Sequence, residues 1–275
     1  MTKSLFFRRP LIFVSLAIVL IVMGAAIAGP VLAPHDPLAI NQNFVNQPSS
    51  HEFLLGTDEF GRDILSRLLI GIRPTILVAV ISTAIASIGG TAVGIIGAYS
   101  RPAIAFFAMR AVDIMLSFPA ILLALLAVGF WNSGVASLSV VIGVIFIPQF
   151  ARVAHAATLV VARQEFVEAE HAMGARYLRV VFRAILPNIL SPLVVQGTLT
   201  TAAAILLESG LSFLGLGILP PQPSWGQMIG TARGYLSQNP MYVIWPSACL
   251  ALTVLAINIL GDALRDHLDP RLREN

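Results

Sequence analysis

Residues 161–187 read VARQEFVEAEHAMGARYLRVVFRAILP. The stretch is polar enough to leave a bilayer, yet it keeps an apolar pattern. Phe166, Ala169, Met173 and Tyr177 recur at spacings of three and four, and Leu178, Val181, Phe182 and Ile185 continue similarly. Gly174 interrupts the pattern, where it permits a turn or a close backbone approach. The spacing predicts two short helices at a bend, with Pro187 at the start of the next helix. Taken alone, the segment fits two roles. It can lie on a membrane surface, or it can seat its apolar face in a partner's groove.

The runs on either side are apolar, and so is most of the chain. Of 275 residues, 57% are apolar and 11% charged. A typical globular chain has roughly 45–50% and about 25%. A mean hydropathy of +0.84 agrees. So few charges cannot cover a soluble protein of this size, so the chain is an all-α integral membrane protein. Six segments are long and apolar enough to span: 11–32, 75–99, 104–130, 135–159, 189–211 and 242–261. Lys3, Arg8 and Arg9 before the first could mark a signal peptide, with Ala26-Ile27-Ala28 as its cleavage site. The apolar run exceeds the usual signal core, so it is read as a retained span. The single Cys249 excludes a disulfide framework and any multi-cysteine metal site.

The basic residues carry orientation. With the N-terminus inside, every Lys and Arg except Arg62, Arg67, Arg73 and Arg233 falls on the cytoplasmic side. The excess of positive charge inside puts both termini in the cytoplasm. Scattered charges with a net of only +3 do not make a nucleic-acid surface. Residues 33–74 and 212–241 are then outside. In the first, Ile64, Leu65, Leu68 and Leu69 recur opposite charges, which predicts an amphipathic helix at the outer interface. The second is rich in Gly and Pro, and Trp225, Tyr235 and Trp245 suit an interfacial belt.

Within 161–187, Glu168-Ala169-Glu170, then Gly174, then Leu186-Pro187 resemble the EAA loop of permease subunits of ATP-binding-cassette importers. The spacing agrees throughout. Glu170 stands where the pattern has Ala, and Ala184 where it has Ile. Three further stretches resemble the C-type permeases of dipeptide, oligopeptide and nickel importers. They are Gly56-Thr57-Asp58-Glu59-Phe60-Gly61-Arg62-Asp63 with Ser66-Arg67, the run ESGLSFLGLGILPPQPSWG at 208–226, and Gly261-Asp262-Ala263-Leu264-Arg265-Asp266 with Leu268-Asp269-Pro270-Arg271. The resemblance implies the type I ABC importer permease fold, at home in the bacterial inner membrane. It implies an N-terminal part, 1–74, with one span and the outer amphipathic segment, and a five-helix core, 75–275.

It also implies partners: a second, homologous permease subunit in a heterodimer, two cytoplasmic ATP-binding subunits, an extracytoplasmic substrate-binding protein and the lipid bilayer. Glu168, Ala169, Ala172, Met173, Gly174, Arg176, Leu186 and Pro187 would form the coupling helix that contacts the ATPase. ATP and Mg would be held by the partners, and this chain would carry no cofactor. Consistently, it contains no GxxxxGK[ST] loop. Peptide is the favoured cargo, with nickel or another small solute as the alternative.

Two acids stand inside spans, Glu208 with Ser209 beside it, and Asp113. A charge in hydrocarbon faces the bundle or a water path. Both are candidates for the pathway or gate, or for a polar contact to a neighbour, for which Arg110 stands near Asp113. Asp262, Asp266 and Asp269 with Arg265 read as a solvated helix end rather than a metal site. Gly90 and Gly94 form a GxxxG that permits close packing within or between subunits. An intramembrane hydrolase would need a Ser–His pair or HExxH, and an ion-coupled secondary transporter would leave the EAA loop unexplained.

Overall fold

A span can leave no backbone polar group unpaired in lipid, and the apolar runs meet that demand as helices. The computed structural model describes residues 2–130 and 134–268, and among them there is no strand. The helices are α1 (Thr2–Leu32), α2 (Ile64–Tyr99), α3 (Pro102–Leu116), α4 (Ala120–Phe130), α5 (Val135–Val161), α6 (Glu165–Ala172), α7 (Tyr177–Val180), α8 (Leu186–Phe213), α9 (Trp225–Ala232) and α10 (Met241–Leu268). A π-helical turn, Val181–Ile185, joins α7 to α8. Asp269, Pro270, Arg271 and Arg273 lie outside the described residues.

Five of these stretches are long and apolar enough to cross a membrane: Pro10–Leu32, Ile64–Tyr99, Val135–Val161, Tyr177–Phe213 and Met241–Leu268. The expected span over 104–130 is a bent pair instead, with α3 and α4 meeting at 91°. Pro119 supplies the break: it disfavours a helical Phe118 and has no N–H to donate.

The interfacial helix expected before span two also differs. Ile64 opens α2 itself, with Asp63 as N-cap accepting the Ser66 N–H, and the helix continues through Pro74. Its charged face points inward. Arg67 is fully buried, and its Nε lies 3.3 Å from the Asp58 carboxylate. Paired charge, not water, satisfies this face.

The centre of the bundle is the seam between α2 and α5, on one side of which stand the glycines. A Cβ at Gly90 would lie 2.3 Å from Phe150 Cβ, and one at Gly94 2.5 Å from the Ala151 carbonyl oxygen. The GxxxG therefore closes α2 on α5 within this chain. Helices α8, α10 and α1 pack around that pair. At one end Asn239 donates to the Gln47 and Thr57 carbonyls, so the 33–63 loop and the 214–240 connection share a face. At the other end Tyr99 meets His171.

Candidate functional site

Helix α6 starts after Gln164, carries Glu165 and Glu168 in its first turn, and sinks one side chain, Val167, into the core. Acidic side chains there favour the positive end of the helix dipole. The helix ends in a Schellman turn. The Gly174 N–H donates to the His171 carbonyl at 2.9 Å and the Ala175 N–H to that of Glu170 at 3.0 Å. Gly174 has φ +78°, and no atom lies within 4 Å of a Cβ built there. The glycine is demanded by the turn, not by a crowded neighbour.

Around the turn, Glu168, Ala169, Ala172, Met173, Gly174 and Arg176 are all exposed. Leu186 and Pro187 stand further on, at the foot of α8, with Pro187 in its first turn. Phe166, Met173, Leu178 and Phe182 are exposed, Met173 at 76%. Tyr177, which the periodicity grouped with Phe166 and Met173, stacks on Tyr99 with ring centroids 5.0 Å apart. The Tyr99 hydroxyl also hydrogen-bonds His171 Nε2. Nothing in the sequence pattern marked Tyr99.

Asp113 pairs with Arg152 of α5 at 3.0 Å and more distantly with Arg110 at 3.9 Å, all three partly exposed. Glu208 has no solvent exposure. It accepts from the Ser212 hydroxyl at 2.7 Å and from Ser209 at 3.3 Å. Ser212 Oγ in turn accepts the Ile218 N–H at 3.0 Å, so Glu208 holds the Gly-rich turn through one hydroxyl. Asp113 and Glu208 are thus at separate places, each with its own partners.

Helix α9 crosses the end of α8 on two glycines. A Cβ at Gly226 would lie 2.2 Å from the Ser209 carbonyl oxygen, and one at Gly230 2.7 Å from that of Phe213. Trp225, expected in an interfacial belt, is buried, and its indole N–H donates to the Leu68 carbonyl at 3.1 Å. Beside it lies a clamp of paired charges. Asp58 accepts the Phe60 and Arg62 N–H groups and Arg62 Nε, and Arg67 donates to the Pro37 carbonyl. In the sequence the GTDEFGRD run carries only a resemblance, although its ion pairs are local, Asp58 and Glu59 both holding Arg62.

A groove of roughly 970 Å³ runs between α1, α2, α8 and α10. Its walls are apolar apart from hydroxyls such as Thr83, Ser87, Thr91, Thr198 and Thr201. Neither acid nor Ser209 lines it. Among the described residues no three metal-ligating side chains come together.

Residues 90–274 match the model of the binding-protein-dependent transport system inner membrane component family. The chain belongs to that family. Residues 4–48 match the N-terminal transmembrane domain of oligopeptide transport permease C. The chain is 39% identical to the di/tripeptide transport system permease protein DppC of Pseudomonas aeruginosa, over 94% of this chain and 87% of that one. It is 39% identical to the dipeptide transport system permease protein DppC of Escherichia coli, over 95% and 89%. It is 36% identical to the glutathione transport system permease protein GsiD of Pectobacterium atrosepticum, over 93% and 85%. Its fold is that of a chain of the MetNI methionine ABC transporter in an inward-facing conformation, at 24% identity and a TM-score of 0.62 over 74% of this chain and 96% of that one. As a member of the family it is an inner-membrane transport component.

Proposed function

We propose that this family member is the permease subunit of an ATP-driven importer of short peptides. Near-full-length identity to permeases named for di- and tripeptides carries the cargo assignment. The exposed apolar face around Met173 supports ATPase docking at 161–187, where Glu168, Ala169, Ala172, Gly174 and Arg176 surround it and Leu186 and Pro187 join it to α8. Two ATP-binding subunits supply the energy and hold ATP and Mg, a second permease completes the pathway, and a substrate-binding protein delivers cargo.

The chain crosses the membrane six times, counting α3 and α4 as one broken span, with both termini in the cytoplasm. The division into 1–74 and 75–275 is supported by family models falling at 4–48 and 90–274, although α2 runs through the boundary. Glu208 with Ser209 acts as the anchor of the outer turn, and Asp113 as an ion-pair partner of Arg152, rather than as pathway linings.

The test is purification of the intact complex from its membrane, identification of the co-purifying subunits, and uptake of labelled dialanine into proteoliposomes. ATP-dependent uptake with two ATPase copies is expected. Uptake that persists without ATP, or a complex with no ATPase, would overturn the assignment.

A further inference from the structure

The 161–187 segment is joined covalently to α5 and to α8, but not to α2. The Tyr99 side chain makes a third connection. Tyr99 is the last residue of α2. Its hydroxyl bonds His171 on α6, and its ring stacks on Tyr177 of α7 at 26°. One residue thus bridges both sides of the Gly174 turn.

We propose that Tyr99 is a positioning residue that ties the ATPase-docking segment to α2, so that its movement reaches the outer face through α2 as well as through α5 and α8. The proposal rests on the docking role of 161–187.

Helix α2 is built to carry such a movement. It has 36 residues, hence a length of about 54 Å at 1.5 Å per residue. Its glycine seam on α5 leaves no room for sliding side chains: a Cβ at Gly94 would lie 2.5 Å from the Ala151 carbonyl oxygen and 2.8 Å from the His155 backbone nitrogen. Its outer end is held twice, by Arg67 at Asp58 and by Trp225 on the Leu68 carbonyl. A helix gripped at both ends and packed along its length moves as a body. The grip at the Tyr99 end is the weaker one. It consists of a ring stack and a hydrogen bond from the half-buried Tyr99 to the exposed Tyr177 and His171, so it is the place where the connection can be cut without unfolding α2.

The experiment uses the intact complex in proteoliposomes and reads how strongly the co-purified binding protein, added outside, stimulates ATP hydrolysis inside. In Tyr99→Ala, the ATPase subunits remain bound, basal hydrolysis is unchanged, and stimulation falls at least threefold. A purely structural tyrosine would lower the melting temperature and leave stimulation intact. Wild-type stimulation in Tyr99→Ala overturns the proposal. If that variant does not assemble, His171→Ala cuts the same link from α6, and wild-type stimulation there overturns it equally. Met173→Asp separates the underlying reading, since it should abolish ATPase association. Association that survives Met173→Asp removes the docking role and the Tyr99 proposal together. Lost association with undiminished stimulation in the Tyr99 and His171 variants removes the Tyr99 proposal alone. A wild-type complex that the binding protein does not stimulate removes both.

Discussion

Replacing Gly174 separates two reasons for a glycine in the proposed docking segment. Its φ of +78° lies in the left-handed region, and space around it is open in this chain. A Cβ there costs roughly 1–2 kcal/mol from backbone sterics alone. The turn is exposed and held by two backbone hydrogen bonds and the Tyr99 contacts, so little else offsets that cost. One to two kcal/mol corresponds to a factor of about 5–30 in an equilibrium constant. Gly174→Ala should therefore weaken association of purified ATPase subunits by up to that factor, measured by titration against the permease in nanodiscs. Asn tolerates the left-handed region better, so Gly174→Asn should weaken it less. Any loss in Gly174→Leu beyond that in Gly174→Ala reports what the side chain meets past its Cβ, because a Cβ itself meets nothing within 4 Å in this chain. Association of Gly174→Ala within twofold of wild type would refute the conformational argument.

Three further outcomes are expected. Asp58→Ala removes the partner shared by the buried Arg62 and Arg67, leaving Arg62 to Glu59 and Arg67 to the Pro37 carbonyl; a loss of up to about 3–5 kcal/mol should appear in denaturant or thermal unfolding of the complex, and an unchanged midpoint would contradict the clamp. Glu208→Ala leaves the Ser212 hydroxyl without its acceptor and should cost about 1–3 kcal/mol, whereas Glu208→Gln keeps an acceptor oxygen and should remain stable and active; a stable Gln variant without uptake would move Glu208 to the pathway. A thiol at Ser50→Cys should react with an impermeant maleimide from the periplasmic side, and labelling only after permeabilisation would invert the topology.

Hydropathy and glycine are local signals, and what they govern was legible in the residues alone. Apolar runs of about 20 residues, the bend at Gly174 and the helix start at Pro187 follow from side chains acting on their own backbone. The EAA spacing added the docking role by resemblance. Tertiary structure decided where polar side chains point. Arg67 looks like the wet face of an amphipathic helix until Asp58 and the Pro37 carbonyl meet it. Trp225 looks like a belt residue until it reaches Leu68, 157 positions away. Tyr177 shares a stripe with Met173, yet it turns to Tyr99 on another helix. Pro119, within a segment that reads as one span, bends α3 from α4 by 91°, where hydropathy reads straight through because both arms are mostly apolar. In each case a partner distant along the chain, or a backbone turn that apolarity does not report, determined the orientation. Burial makes those pairings obligatory, because a polar group removed from water must find its partner wherever the fold places one.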